Sequence, residues 1–224
     1  MKITLMYNPK AGDENLPVDT LVNGLHAKGA EVLIQSTKEE DYEEAFALSP
    51  DFVIIAGGDG TVEKLLKKLV NEDLPFAILP SGSANNIANS LNVEATIDGI
   101  MESWNKKNFR KFSMGKVEVG QIKDYFLESV GWGLFSEVLA KSKKEKEKGK
   151  PDSSFPPKDK VESGLDKLLQ SLGNLHASYY EILLDGKNYS GNYLWVEIMN
   201  TQSMGPQLKL APGAEAGDDY LDVV

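Results

Sequence analysis

The sequence predicts an α/β domain followed by a β-rich domain, and three observations support this prediction. Short apolar runs alternate with amphipathic stretches over the first hundred residues, which is typical of a parallel sheet with helices on both faces. Polar turns follow three of these apolar runs. After about residue 106, apolar residues recur mainly with period 2, which favours antiparallel strands. We therefore expect an α/β/α domain over residues 1–105 and a β-sandwich-like domain over residues 106–224.

The predicted elements of the first domain alternate along the chain. Apolar runs predict strands at Ile3–Tyr7, Glu31–Gln35, Phe52–Ala56 and Phe76–Leu79. Helices are predicted at Pro17–Lys28, Glu39–Leu48, Val62–Val70 and Ala84–Leu91. In the first helix, apolar residues recur at positions i, i+3, i+4 and i+7 from Val18, so one face is expected to pack on the sheet.

The second half of the chain is predicted to form longer strands with one charged insertion. The predicted strands are Phe109–Gln121, Tyr125–Gly131, Ser178–Leu184 and Tyr189–Asn200. The dipeptide Asp185-Gly186 predicts a tight hairpin turn between the last two. The insertion covers residues 141–160, and its polar, proline-rich second half predicts a mobile loop. A helix is expected after it, with apolar residues on one side at Val161, Leu165, Leu168, Leu169 and Leu172.

The composition argues against several classes of protein. The chain has 224 residues and a formal net charge of −10, whereas a general nucleic-acid binder needs a basic face. It contains no cysteine, which excludes disulfides, thiolate metal sites and a cysteine nucleophile. No apolar run approaches the roughly 20 residues that span a bilayer, and the first run is too short for a signal peptide. We therefore expect a cytoplasmic protein with at most peripheral membrane contact.

A glycine-rich loop is the most informative feature of the sequence. Gly57-Gly58-Asp59-Gly60-Thr61 follows a predicted buried strand and precedes a predicted helix. Glycines let the backbone turn tightly and approach an anion closely, and a helix amino terminus attracts negative charge. The loop therefore predicts a phosphate site, although a simple turn capped by Asp59 or Thr61 remains an alternative. It matches neither the P-loop pattern nor the dinucleotide fingerprint.

Two further polar turns are expected beside this loop. They are Asn8–Gly12 and Pro80–Asn86, and each follows a predicted strand. Ligands bind at the carboxyl ends of parallel strands, where all three turns are expected to meet. The Asn8 amide can reach a phosphate or its own backbone, and the Ser83 hydroxyl can face the same cavity.

These motifs together resemble the diacylglycerol-kinase-like lipid kinases, which include diacylglycerol, sphingosine and ceramide kinases and their bacterial relatives. The resemblance rests on Asn8-Pro9-Lys10-Ala11-Gly12, on Gly57-Gly58-Asp59-Gly60-Thr61-Val62-Glu63, on Pro80-Ser81-Gly82-Ser83-Ala84-Asn85-Asn86-Ile87-Ala88, on Gly131-Trp132-Gly133, on Ala211-Pro212-Gly213-Ala214 and on Asp218-Asp219-Tyr220-Leu221-Asp222. The glycine loop is also shared with NAD kinases and phosphofructokinases, so an NAD kinase is an alternative. The segment Pro80–Ala88 favours the lipid kinases.

The resemblance implies a kinase that binds ATP in a cleft between the two domains and phosphorylates a hydroxyl of a diacylglycerol- or sphingoid-like lipid. The implied ATP-binding residues are Asn8, Thr37, Gly57, Gly58, Asp59, Gly60, Thr61, Val62, Glu63 and Ser83. A Mg²⁺-binding loop is implied, with the Asp219 carboxylate and the backbone oxygens of Ala216 and Leu221 as ligands. The alternative for this loop is an exposed turn that caps a strand. Asp59 is the candidate general base, and its alternative role is to hold the glycine loop by backbone hydrogen bonds.

The chain departs from this family in three places. Asn85-Asn86 stands where the family often has Asn-Asp, and Asp219-Tyr220 stands where it has Asp-Gly. Tyr220 disfavours a positive φ, so an altered metal loop is expected. Family members also continue well past Val224, where bacterial members carry an acidic general base. We therefore expect a truncated second domain, and a non-catalytic nucleotide- or lipid-binding protein remains an alternative.

The lysine-rich segment Lys141–Lys150 has two interpretations. It is either a solvated helix end running into a loop or a contact with an anionic membrane, where each lysine contributes about 1 kcal/mol. The second interpretation suits a lipid substrate at a membrane surface. A homodimer is also compatible with the sequence.

Overall fold

The computed structural model describes residues 1–11, 18–70, 72–92, 96–105, 109–147, 160–173 and 176–224. Within these ranges, an amino-terminal parallel sheet covered by helices is followed by antiparallel strands and two further helices.

The amino-terminal sheet has four parallel strands in the order β2-β1-β3-β4. Their bounds are β1 Lys2–Tyr7, β2 Glu31–Ser36, β3 Phe52–Gly57 and β4 Phe76–Pro80. β3 is buried along its whole length, which explains its uninterrupted apolar sequence. The carboxyl ends of the strands are level, because Tyr7 pairs with both Ser36 and Ala56 while Gly57 pairs with Pro80. This confirms the predicted meeting edge of the three polar turns.

Five helices belong to this part of the chain: α1 Val18–Ala27, α2 Glu44–Ala47, α3 Asp59–Leu66, α4 Asn86–Leu91 and α5 Ile97–Asn105. These helices cover both faces of the sheet. Alternate residues of β3 point to opposite faces, and the two sets pack against different helices. Val53 and Ile55 pack in one core cluster with residues of α3 and α4. Phe52 and Ile54 pack in a second cluster with residues of α1 and α5.

Two predicted helices differ from the observed ones. The predicted helix Glu39–Leu48 is a single helical turn, α2, preceded by turns over residues 37–43. Only Tyr42 and Ala45 are buried in this stretch, which is too little apolar surface to hold a longer helix. In contrast, α3 begins at Asp59, three residues before the predicted start, so the glycine loop forms its first turn.

The remaining strands form small antiparallel sheets. A three-stranded sheet joins β7 Ser129–Gly133, β12 Trp195–Met199 and β15 Asp222–Val223. Four hairpins or strand pairs complete the described part: β5 Gly115–Val119 with β6 Ile122–Phe126, β8 Ser178–Tyr180 with β11 Gly191–Tyr193, β9 Leu183–Leu184 with β10 Lys187–Asn188, and β13 Ser203–Met204 with β14 Leu208–Lys209. Three of the four long predicted strands are therefore split into shorter ones, and Phe109–Gln121 is shortened to β5.

The turn between β9 and β10 is the predicted hairpin turn. Leu184 pairs with Lys187, and the two residues between them, Asp185 and Gly186, have φ values of 48° and 79°. Two consecutive positive φ angles match the twist of a tight two-residue hairpin.

Two helices, α6 Leu134–Glu147 and α7 Lys160–Leu172, pack through Leu134, Val138 and Leu168. On the apolar side expected for α7, Leu168 is buried in this contact, whereas Leu169 is 64% exposed and Leu172 is also exposed. The loop predicted in the insertion lies largely outside the described residues. In the part of the chain that the structure describes, no helix is long and apolar enough to cross a bilayer. The boundary at residue 105 stays a prediction.

Candidate functional site

The glycine loop presents free backbone amides at the start of α3. Gly58 is the residue that precedes the helix, and its carbonyl accepts hydrogen bonds from the amides of Thr61 (2.9 Å) and Val62 (3.1 Å). Within the described residues, the amides of Gly58, Asp59 and Gly60 donate to no protein acceptor. Free amides at a helix amino terminus bind anions. The loop therefore keeps the geometry that its sequence predicts.

The glycine loop touches the turn after β4 through a pair of glycines. A Cβ placed on Gly82 would lie 2.5 Å from the Gly58 Cα, and a Cβ on Gly58 would lie 2.9 Å from the Gly82 Cα. The Asn85 side chain fixes this turn, since it accepts from the Gly82 amide (2.9 Å) and donates to the Gly82 carbonyl (2.8 Å). The two turns can approach this closely only because both positions lack a side chain.

Asn8 connects the first turn to the glycine loop. Its Nδ2 donates to Thr61 Oγ1 (2.9 Å), and its Oδ1 accepts from the Lys10 amide (3.0 Å). Its backbone amide donates to the Ala56 carbonyl (3.0 Å). The Asn8 side chain therefore holds the turn after β1 against the glycine loop.

These turns enclose an open cleft of about 440 Å³. It is lined by Asn8, Lys10, Ala11, Thr37, Lys38, Gly58, Asp59, Gly60, Thr61, Lys64, Gly82 and Ser83. Seven of the ten predicted ATP-binding residues are in that lining. The other three lie elsewhere: Gly57 is packed against the Thr61 side chain, Val62 is in the core, and Glu63 pairs with Lys67 at 3.0 Å.

Asp59 is held by the amino terminus of α4. Its Oδ2 accepts from the Asn86 amide and its Oδ1 accepts from the Ile87 amide, both at 3.0 Å. Burial raises the pKa of the Asp59 carboxyl, and the backbone amides of Ile87, Asn86 and Asn85 oppose that rise. Asp59 thus links the glycine loop to the turn after β4. These hydrogen bonds fit the alternative role predicted for Asp59, which is to hold the glycine loop through backbone hydrogen bonds. A function of Asp59 as general base stays a prediction.

Glu128 is a residue of this region that the sequence analysis missed. It lies just before β7, and its Oε2 accepts from Asn86 Nδ2 at 3.2 Å. Burial first, and then the charge of Asp59, raise the pKa of Glu128 to about 8. The available signal was a charged residue inside the apolar run from Tyr125 to Val130.

Asn86 joins this acidic region to the second half of the chain. Its side chain is almost fully buried, with 1% exposed, and Nδ2 donates to the Gly205 carbonyl (2.8 Å) as well as to Glu128. Its Oδ1 is buried without a hydrogen-bond partner among the described residues. The residue at which the sequence departs from the family pattern therefore occupies the contact between the two halves.

In the predicted magnesium loop, the Asp219 carboxylate forms an ion pair with a lysine from another part of the chain. Lys111 Nζ lies 2.7 Å from both carboxylate oxygens of Asp219, and Ser113 Oγ donates to Asp219 Oδ1 (2.9 Å). Lys111 first, and then Ser113, lower the pKa of the Asp219 carboxyl. Asp219 is exposed and has a φ of 66°.

The side chains of this loop do not form a ready magnesium site. Among the residues that the structure describes, no group of three or more His, Cys, Asp or Glu side chains could hold a metal ion. A cation at Asp219 would have to displace the Lys111 ammonium. The assignment of Ala216, Asp219 and Leu221 as ligands stays a prediction.

Comparison with known families identifies the chain. A family model described as the diacylglycerol kinase catalytic domain matches residues 2–117, which include all three turns around the cleft. The chain belongs to this family of lipid kinases. The diacylglycerol kinase family is therefore confirmed, as the motifs of the three turns predicted.

Relatives in the diacylglycerol kinase family cover most of this chain. A YegS-like lipid kinase of Pseudomonas fluorescens is 28% identical over 216 residues, or 93% of this chain and 68% of that protein. A diacylglycerol kinase of Mycobacterium tuberculosis is 25% identical over 185 residues, or 80% of this chain. The aligned region spans only 56% of that second protein.

Solved structures of the same family share the fold. A diacylglycerol kinase of Bacillus anthracis superposes with a TM-score of 0.67 at 24% identity, covering 99% of this chain and 74% of that one. A second structure from that organism has a TM-score of 0.69 and covers 100% of this chain. These likenesses confirm the predicted two-part fold.

Proposed function

We propose that the protein is an ATP-dependent lipid kinase that transfers the γ-phosphate to a hydroxyl of a diacylglycerol- or sphingoid-like lipid. The observation that carries the proposal is the set of free amides at Gly58, Asp59 and Gly60, which open onto the cleft. Membership of the diacylglycerol kinase family supports the reaction class.

In this proposal the cleft binds the phosphates of ATP. The amides of the glycine loop and the positive end of the α3 dipole would stabilise phosphate charge. A cavity of about 440 Å³ is within the usual size range of small-molecule sites, roughly 300–1,000 Å³. Phosphoryl transfer depends on positioning and charge neutralisation, which fixed amides supply without rearrangement.

Asp59 is the proposed general base for the lipid hydroxyl. A carboxylate has about four lone-pair sites, and two of them are used by the amides of Asn86 and Ile87. The rest can accept a hydroxyl proton. The raised pKa brings Asp59 nearer to neutral pH, where a base is most effective. Magnesium would neutralise phosphate charge in this reaction, and Asp219 is its proposed protein ligand.

The test measures transfer of labelled phosphate from ATP to lipid in mixed micelles. It uses the full-length protein that the gene encodes. We expect labelling of diacylglycerol or sphingosine by the wild type. Asp59→Asn should lose about 100-fold or more in transfer, the usual contribution of a general base. Because Asn keeps an acceptor for only one of the two α4 amides, the ATP affinity of this variant is measured in parallel, so that lost binding is separated from lost transfer. Wild-type protein that binds ATP but labels neither lipid would refute the kinase proposal.

A non-catalytic nucleotide-binding protein is the second candidate. The observation that favours it is the Lys111 ion pair with Asp219, which neutralises the carboxylate that magnesium would need. In that case ATP raises the melting temperature, because a ligand selective for the folded state stabilises it, while transfer is absent. Phosphorylation of NAD instead of lipid would indicate an NAD kinase.

We also propose that the segment Lys141–Lys150 contacts an anionic membrane. Its support is the number of lysines, six in ten residues, next to a lipid-kinase domain. Sedimentation with phosphatidylserine liposomes should decrease when Lys143, Lys144 and Lys146 are changed to Glu. Unchanged sedimentation would rule out this contact.

A further inference from the structure

The charge around the cleft is unusual for this acidic protein. Its formal net charge is −10, yet among the described residues three lysines, Lys10, Lys38 and Lys64, line the cleft beside one acid, Asp59. Both oxygens of that acid already accept backbone amides from α4. The described lining of the cleft therefore carries an excess of positive charge, which attracts polyanions.

Of these three lysines, Lys64 is the one whose ammonium group is held by contacts with described residues. Its Nζ donates to the Thr37 carbonyl at 3.1 Å and lies 3.8 Å from the centre of the Tyr42 ring. Among the described residues, no carboxylate lies within 4 Å of it. An ammonium group has three donors, so donors remain for a ligand after the bond to Thr37.

The aromatic wall behind Lys64 is itself fixed. Tyr42 is only 6% exposed and packs in the core cluster that includes residues of β3 and α3. Its hydroxyl donates to Glu43 Oε1 (3.0 Å), and Glu43 pairs with Lys68 (2.9 Å). A cation over an aromatic face is attracted by the ring quadrupole without losing its charge. The ring and the Thr37 carbonyl thus position a charged group without neutralising it.

Lys64 is on the same short helix as the glycine loop. It lies one helical turn after Gly60 in α3, and both residues line the cleft. We propose that Lys64 binds the outer phosphates of a nucleoside triphosphate and sets the preference of this cleft for triphosphates over monophosphates. The inference rests on the proposed function, and it adds a specificity-determining residue outside the predicted ATP-binding set.

The test is calorimetric titration of the wild type and Lys64→Met with ATP, AMP and inorganic tripolyphosphate. A charge-assisted hydrogen bond contributes enough to change affinity about tenfold or more. We expect Lys64→Met to lose about that factor for ATP and tripolyphosphate and much less for AMP. The control is Lys116→Met, which removes an exposed lysine paired with Glu118 on the β5–β6 hairpin, outside the cleft lining, and should leave the ratio of ATP to AMP affinity unchanged.

A purely structural role for Lys64 would lower the affinities for ATP and AMP by the same factor, and that result overturns the inference. Unchanged ATP affinity in Lys64→Met also overturns it and leaves the proposed kinase function intact. Wild-type protein that binds tripolyphosphate through Lys64 but does not bind ATP would support the phosphate contact and refute the kinase proposal.

Discussion

Glu128 is a carboxylic acid in surroundings that disfavour its charge. Burial is the main cause, and Asp59 and Glu63, both on α3, add negative charge nearby, while Asn86 Nδ2 and the Gly205 backbone offer partial hydrogen-bond compensation. The pKa of Glu128 is therefore raised from 4.5 to about 8. A group whose pKa is raised on folding stabilises the folded state below its unfolded pKa, and this stability is lost as the pH rises through the folded value.

We predict that stability decreases with pH because of Glu128. From pH 5 to pH 7.5 the free energy of unfolding should fall by roughly 3 kcal/mol, since each pH unit in this window contributes about 1.4 kcal/mol. Glu128→Gln keeps an acceptor for Asn86 and should flatten this slope in urea denaturation. Glu31→Gln, at an exposed carboxylate, is the control. Equal slopes in Glu128→Gln and the wild type would contradict the prediction.

Lys111 governs the availability of Asp219. Because its ammonium contacts both oxygens of that carboxylate, it competes with any divalent cation. We predict that Mg²⁺ raises the melting temperature of Lys111→Met more than that of the wild type. Lys116→Met, which removes an exposed lysine paired with Glu118, is the control. An equal magnesium response in all three proteins would argue against metal binding at Asp219.

At the scale of elements, the site depends on how closely two strand-to-helix turns approach. Gly58 precedes α3, whose first amides have no acceptor among the described residues, and the first amides of α4 donate to the Asp59 carboxylate. The pair Gly58 and Gly82 brings these helix starts together.

We predict that Gly82→Ala destabilises the fold by about 2 kcal/mol, because the new methyl group meets the Gly58 backbone at 2.5 Å. Gly60→Ala is the matched control in the adjacent turn, since a Cβ there meets nothing within 4 Å. Its stability should remain within about 0.5 kcal/mol of wild type. Urea denaturation of both variants measures the difference. Similar stabilities would show that the turns separate easily.

At the scale of the whole molecule, a few polar contacts join the amino-terminal sheet region to the antiparallel strands. Asn86 donates to Glu128 and Gly205, and Lys67 donates to Asp124 at 3.0 Å. The Asn86 side chain is buried, whereas both members of the Lys67 pair are partly exposed and the pair contributes little. Asn86 is therefore the main polar connection described between the two regions.

We predict that Asn86→Ala lowers the free energy of unfolding by about 2 kcal/mol, because it leaves the Gly205 carbonyl without its donor. Hydrogen exchange at β7 should accelerate in the same variant. Asn89→Ala is the control, because Asn89 lies on the same helix but donates to the Ala84 carbonyl at the surface. If the two variants behave alike, Asn86 does not couple the two regions.

The sequence by itself determined the parallel sheet, the glycine loop, the alignment of three turns at one edge and the family. These features depend on local spacing: a buried run, then glycines, then a helical pattern. The sequence did not reveal that the Glu39–Leu48 segment is mostly turns, because its propensity suggested a helix and only packing decided otherwise.

Only the tertiary structure decided which polar groups meet. Asn86 reaches Glu128 across 42 positions of sequence, and Lys111 reaches Asp219 across 108. Lys64 of α3 is positioned by Thr37 and Tyr42, which lie in the turns between β2 and α2. Such contacts follow from how the chain returns on itself, and no local period records them. The physical reason is that charge and burial act through distance in space, whereas sequence patterns report only neighbours along the backbone.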